Sequence, residues 1–265
     1  MEELLPGGGV NEVVRVGDTV RRPTGPWSPR VHALLRELRS GGLTATPDFL
    51  GVDDQGREIL TFMPGDVGNY PLAPAVSSET ALVTAARLLR RYHDATVDFA
   101  RRHRDGWQVP AREPVEVICH NDFAPYNCVL AGDEVVGLID FDFAHPGPRS
   151  WDVANGLYRF APMTDDTNPD GFGTPAGQAR RARLFCDAYG LPDRSGLVDL
   201  VVARLHAVVD LMHARAAAGD AAFAGHVAHG HDRLYLRDAE HIARHRDVFE
   251  AALGSSDGGG AAPSR

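Results

Sequence analysis

Residues 117–144, VICHNDFAPYNCVLAGDEVVGLIDFDFA, constrain the fold of this chain more than any other stretch. Three apolar runs, at 117–119, 128–130 and 135–139, are too short for helices and rich in β-branched residues. The last two are separated by Ala131, Gly132 and Asp133, which is hairpin turn chemistry. A polar loop, residues 120–127, precedes the hairpin, and Asp140 closes it. Folded in this way, the chain would gather three polar side chains: Asp122 and Asn127 from the loop and Asp140 from the far strand.

Two carboxylates and an amide oxygen are hard ligands of the kind Mg²⁺ accepts. Phosphoryl transfer needs positioning and cations over phosphate oxygens more than covalent chemistry. One carboxylate free to work on an acceptor, beside others that hold metal, therefore points to a phosphoryl-transfer site. Asp142 is a second possible ligand, provided the strand continues regularly past Asp140.

The flanking sequence organises around this centre. Residues 5–23 begin with Gly7, Gly8 and Gly9, followed by alternating valines and a Gly17-Asp18 turn, a β-hairpin by period and turn type. Such a glycine-rich turn lets backbone N–H groups approach phosphate oxygens, although a triple glycine is as often a plain turn. Residues 30–39 carry Val31, Leu34, Leu35 and Leu38 at helical spacing, and Gly41-Gly42 ends that helix. Residues 48–53 and 58–63 read as strands, and Pro64-Gly65 as a hinge. Beyond it, Ser77-Ser78-Glu79 caps an amphipathic helix over 80–102. Helices are expected at 151–160, 178–189, 196–218 and 233–253, with a mobile substrate loop at 162–177.

The expected fold is α+β with two lobes: a small antiparallel β-sheet lobe over 1–64 and a mainly helical lobe over 65–253. A disordered tail over 254–265 would follow. No apolar run approaches the roughly 20 residues that cross a bilayer, and the acidic start MEELLPGGGV does not resemble a secretory signal. Three cysteines without a CxxC pair suit free thiols in a reducing cytoplasm. A net charge of −9 argues against a nucleic-acid partner and is compatible with a cationic small molecule. All 27 basic residues are arginine, so no lysine is available for a phosphate or a Schiff base.

The string HNDFAPYN followed by LIDFD resembles the catalytic loop and metal strand of the aminoglycoside phosphotransferase family, relatives of the protein kinases. The matching residues are His120, Asp122, Asn127 and, thirteen residues on, Asp140. The resemblance implies a protein-kinase-like fold that uses ATP and Mg²⁺ to phosphorylate a hydroxyl of a small molecule, aminoglycoside-like or otherwise amino-bearing. It implies that Asp122 accepts the hydroxyl proton, that Asn127 and Asp140 hold Mg²⁺, and that His120 and Asp152 support the loop. Gly7, Gly8, Gly9, Phe62 and Met63 would border the nucleotide. The family lysine on the third strand is replaced by Arg22 or, alternatively, Arg21; an arginine fork can hold phosphate oxygens. Its helix partner falls at Val31 or His32 in register, or at Glu37, the only glutamate of that helix, or is absent.

Other readings compete. The missing lysine leaves room for a non-catalytic pseudokinase acting as a binding or immunity protein, and the carboxylates alone would suit a phosphohydrolase. His226, His229, His231, His241 and His245 invite a metal but lack HExxH or a nearby cysteine, so solvated or capping roles are expected. The stripe Leu197, Leu200, Val201, Leu205, Val208 and Leu211 reads as core.

Overall fold

The computed structural model describes residues 2–5 and 13–254. Gly7, Gly8 and Gly9 and the tail beyond residue 254 lie outside the described residues, so the expectations placed on them are left as they stand.

The first part of the chain forms a five-stranded antiparallel sheet in the order β1-β2-β3-β5-β4. Its strands are β1 (Glu2–Leu4), β2 (Val14–Val16), β3 (Thr19–Arg22), β4 (Phe49–Val52) and β5 (Glu58–Thr61). The turn between β2 and β3 needs the left-handed backbone of Gly17, φ 62°, which glycine adopts without steric penalty. The pairing of β3 with β5 sets Val20 opposite Leu60 and Arg22 opposite Glu58. Helix α1 (Ser28–Ser40) buries Val31, Leu34, Leu35 and Leu38, the four positions that its spacing marks out. It also turns His32 onto the Phe49 ring, with centroids 3.7 Å apart.

Past Gly65 the chain becomes mainly helical. Helix α2 (Glu79–Arg102) is capped by Ser78, whose side chain accepts from the Ala81 amide at 3.0 Å. Its buried face, Leu82, Ala85, Leu89, His93, Thr96 and Ala100, repeats at helical spacing. Strand β6 (Asp66–Val67) pairs with β8 (Cys128–Ala131), which forms the expected hairpin with β9 (Glu134–Leu138). Strand β7 (Val117–Cys119) pairs instead with β10 (His145–Gly147). Helices α3 (Arg149–Phe160), α4 (Pro175–Tyr189) and α5 (Leu197–Ala217) follow and close the core around α2. The two-lobed α+β architecture expected from sequence is thus present. Among the described residues no helix is long and apolar enough to cross a membrane.

The C-terminal helix expected over 233–253 is two helices, α7 (His231–Arg244) and α8 (Arg246–Gly254), preceded by an unforeseen α6 (Ala221–Ala228). At the break both the amide and the ring Nδ1 of His245 converge on the His241 carbonyl, and α8 starts afresh. Helix α6 is set off by Gly219 and Gly230 and capped by Asp220, which accepts from the Ala222 and Phe223 amides. The loop expected over 162–177 ends at Thr174, where α4 begins, and is tied to α7 at two points. Asp238, fully buried, accepts from the Asp165 amide at 2.8 Å and from Asn168 Nδ2 at 2.7 Å. His241 is likewise buried rather than solvated, with Nε2 on Gln178 Oε1 at 3.1 Å.

Candidate active site

The loop between β7 and β8 carries Asp122 and ends in a short helical turn, Pro125–Asn127. Both carboxylate oxygens of Asp122 are held. The Tyr126 hydroxyl donates to Oδ1 at 2.8 Å, and Asn127 Nδ2 donates to Oδ2 at 2.9 Å. Burial pushes the Tyr126 phenol well above its usual range, against the nearby Arg159, so it is protonated and can donate. Because the Asn127 nitrogen is committed to Asp122, its amide oxygen is the atom left for another partner.

The loop is shaped from behind by the helical lobe. Asp152 on α3 accepts from the amides of His120 and Asn121. Asn155 Nδ2 donates to the Phe123 carbonyl at 3.0 Å, and Arg204 of α5 donates to the Asn121 carbonyl. These contacts hold Asn121 at φ 65°, a left-handed conformation kept where surroundings over-determine it. Burial alone would raise the Asp152 carboxyl, but His93, His120 and the Asn121 amide hold it below the usual carboxylate range. His93 Nε2 meets Asp152 at 3.1 Å, and its Nδ1 meets the Tyr189 hydroxyl at 2.7 Å. Burial lowers His93 despite the carboxylate beside it. A neutral ring, donating from Nε2 and accepting at Nδ1 from a phenol whose pKa burial pushes up to about 12, satisfies both partners.

His120 and Asn127 tie this loop to the end of β9. His120 Nε2 pairs with the Ile139 carbonyl at 2.9 Å, and the Ile139 amide donates to the Asn127 carbonyl at 2.9 Å. Asp140 follows at φ 63°, with its side chain 46% exposed. The three residues singled out in the sequence therefore stand on one connected backbone framework.

Arg22 completes the site from the sheet lobe. Its Nε donates to Glu58, its Nη1 to Asp140 Oδ1 at 2.9 Å and its Nη2 to Asp142 Oδ1 at 2.5 Å. Burial would favour loss of its charge, but Asp140, Asp142 and Glu58 hold the guanidinium above its ordinary range. Asp142 is pushed up by burial, against the pull of Arg22. Arg21, one residue earlier, faces the other way, with Nη1 on Thr19 Oγ1 and Nε 3.8 Å from Asp53.

The partner of Arg22 is none of the residues considered on the helix. Glu37 is exposed and pairs with Arg102. Glu58, 1% exposed, comes from β5 directly across the ladder, and His32 Nε2 meets its other oxygen at 2.6 Å. Helix α1 thus reaches Arg22 through a histidine and a strand glutamate. The available signal was the shared inward face of Glu58 and buried Leu60, where a charge requires a partner. Arg204 had a similar signal, a cation inside the apolar stripe of α5. Phe62 lies under the Arg15 guanidinium at 3.8 Å, and Met63 packs against Gly137.

The donor set suits Mg²⁺. One exposed carboxylate and one amide oxygen, with phosphate and water filling the remainder, is how this ion is usually held. Among the described residues no group of three or more His, Cys, Asp or Glu could hold a metal, and the histidines of α6 and α7 form no such site.

The chain resembles several known proteins. Residues 104–197 match the model of the phosphotransferase enzyme family. The chain is 34% identical over 269 residues to the trifolitoxin immunity protein of Rhizobium leguminosarum bv. trifolii, covering 95% of this chain and 98% of that protein. The fold resembles Plasmodium vivax ethanolamine kinase, with TM-score 0.60, 14% identity, and 95% of this chain and 83% of that one covered. It also resembles an amicoumacin kinase in complex with AMP-PNP and Ca²⁺, with TM-score 0.60, 13% identity, and 94% and 88% covered.

Proposed function

The chain is a member of the phosphotransferase enzyme family; from that premise we propose that it is a small-molecule kinase, moving the γ-phosphate of ATP to a hydroxyl of a small molecule, with Asp122 as the group that takes the hydroxyl proton. The observation that carries this reading is the double anchoring of the Asp122 carboxylate by Tyr126 and Asn127 on a loop sewn to Asp140. A carboxylate with both oxygens fixed can aim an acceptor hydroxyl in line with a phosphate, and alignment is the larger part of this catalysis.

Asn127 and Asp140 would hold Mg²⁺, which when bound neutralises charge on the phosphate oxygens. Arg22, fixed by Glu58, presents a guanidinium edge on the sheet side of the same cleft, where a lysine serves in related enzymes. Phe62 and Met63 border the adenine position. ATP as donor fits a cytoplasmic protein.

The test couples turnover to binding. With Mg-ATP and a panel of hydroxyl acceptors, wild type is expected to transfer phosphate and Asp122→Ala to lose transfer. Both should be stabilised by Mg-ATP through mass action. Transfer that survives in Asp122→Ala would sink the mechanism. A second reading, that the cleft protects by binding alone, is favoured by the name of the immunity-protein relative. Absence of any thermal shift at millimolar Mg-ATP would select it.

A further inference from the structure

Arg159, in the last turn of α3, stands inside a ring of tyrosines beside the catalytic loop. Its Nη2 donates to the Tyr235 hydroxyl at 2.5 Å, and the Tyr70 phenol lies within its electrostatic reach. Its Cζ lies 5.5 Å from the ring centroid of Tyr126, 4.9 Å from Tyr158 and 5.5 Å from Tyr235. Among the described residues it forms no salt bridge, and its Nε is buried without a hydrogen-bond partner. Two carboxylates beside the ring accept from its own phenols, Asp122 from Tyr126 and Asp238 from Tyr158, each at 2.8 Å, and Asp170 acts electrostatically on Tyr70 alongside Arg159.

A desolvated cation with no carboxylate in direct contact is costly to keep. Aromatic faces offset part of that cost without neutralising the charge. The ring therefore holds a full positive charge, pre-oriented and with an unused donor, one side chain away from the atom that takes the acceptor proton. A cage of phenol faces would also suit an ammonium ligand, but here the protein's own guanidinium fills it. A polycationic acceptor would meet repulsion at this point.

Resting on the phosphotransferase reading, we propose that Arg159 is the specificity determinant of the acceptor site and binds an anionic group, of carboxylate class, on the molecule whose hydroxyl meets Asp122. The carboxylate accepts from the guanidinium, as charge-assisted pairs of this geometry do. The hydroxyl end then points past Tyr126 toward Asp122.

Three two-carbon probes test this: glycolate, ethylene glycol and ethanolamine share a hydroxyl and differ only in an anionic, neutral or cationic partner group. Binding is measured by saturation-transfer NMR on the full chain, with Mg-ATP binding followed separately by thermal shift. Wild type is expected to bind glycolate at least about tenfold more tightly than either alternative, and Arg159→Gln to lose that preference. Tyr235→Phe, which keeps the ring but removes the hydroxyl that orients the guanidinium, should lose part of it, so the argument survives if Arg159→Gln folds poorly. Equal or absent glycolate binding in wild type overturns the proposal. So does an Arg159→Gln protein that gains ethanolamine, which would make Arg159 a plug in a cation site. A protein that prefers glycolate yet ignores Mg-ATP would instead remove the phosphotransferase reading and leave the anion site standing.

Discussion

Replacing Arg22 with methionine keeps the aliphatic stem and removes the guanidinium that joins Glu58, Asp140 and Asp142. The side chains of Arg22 and Glu58 are 9% and 1% exposed, so Glu58 would be left as a buried charge with only His32 beside it. Removing one partner of a buried pair costs about 3–5 kcal/mol. The contact to Asp140, itself 46% exposed, adds little because solvent screens it. At roughly 2–4 °C per kcal/mol for a domain of this size, Arg22→Met should melt roughly 6–20 °C below wild type. Removing the stranded charge as well should recover much of the loss. Arg22→Met with Glu58→Gln is therefore expected to be more stable than the sum of the single costs by about 1–3 kcal/mol. Arg22→Lys should fall between, since a compact ammonium cannot fork across three carboxylates. Urea and thermal melts of the four proteins complete the cycle. A loss under about 1 kcal/mol for Arg22→Met, or single costs that add within about 0.5 kcal/mol, would show that Arg22 is not the bridge described.

Three further outcomes follow from the geometry. Burial depresses His93, so the unfolded chain takes up its proton more readily; that stability is present above about pH 6.5 and lost as pH falls through the folded value. Wild type should therefore lose melting temperature between about pH 7 and pH 5, and a His93→Gln protein with the same slope would refute the assignment. Gly65 has φ 141°, and an added Cβ would lie 2.4 Å from the Leu130 carbonyl oxygen, so Gly65→Ala should cost about 2 kcal/mol or more by denaturant melt. Tyr126→Phe removes one of the two donors on Asp122; kcat should drop about tenfold while the thermal shift with Mg-ATP stays the same, and an unchanged kcat counts against that donor.

Legibility from sequence followed the range of the interactions. The hairpin of β8 and β9 was readable because its period, turn and flanking polar residues are local. The same holds for the buried faces of α1 and α2, where spacing alone selects the core. Asp152 could be singled out, since it opens a helix just after a Gly-Pro break. Glu58 could not be assigned to Arg22, because that pairing depends on the register of β3 against β5, across 36 residues of chain. Nothing local marks out Tyr126 inside the motif, because only its spacing to Asp122 on a tight turn brings its hydroxyl round. The split of the last helix at His245 had no proline or glycine to announce it, and arises from side-chain competition for the His241 carbonyl.

The same contacts indicate how an arginine-only chain can build the cleft for which the family resemblance implies a lysine. A lysine ammonium is one point charge and needs one helix glutamate to aim it. A guanidinium has donors on three nitrogens, and here each has a separate carboxylate: Glu58 within the sheet lobe, Asp140 and Asp142 beyond it. Arg22 is therefore a strut between the two halves of the site. His32 then has a defined task, since it takes the second oxygen of Glu58 and links α1 to the strut. Under this arrangement a change at His32 should propagate to Asp140 through Glu58 and Arg22, although no direct bond joins the first residue to the last. Coupling between His32→Ala and Asp140→Asn in Mg-ATP affinity, larger than about 0.5 kcal/mol, is the expected sign of that chain, and strict additivity would break it.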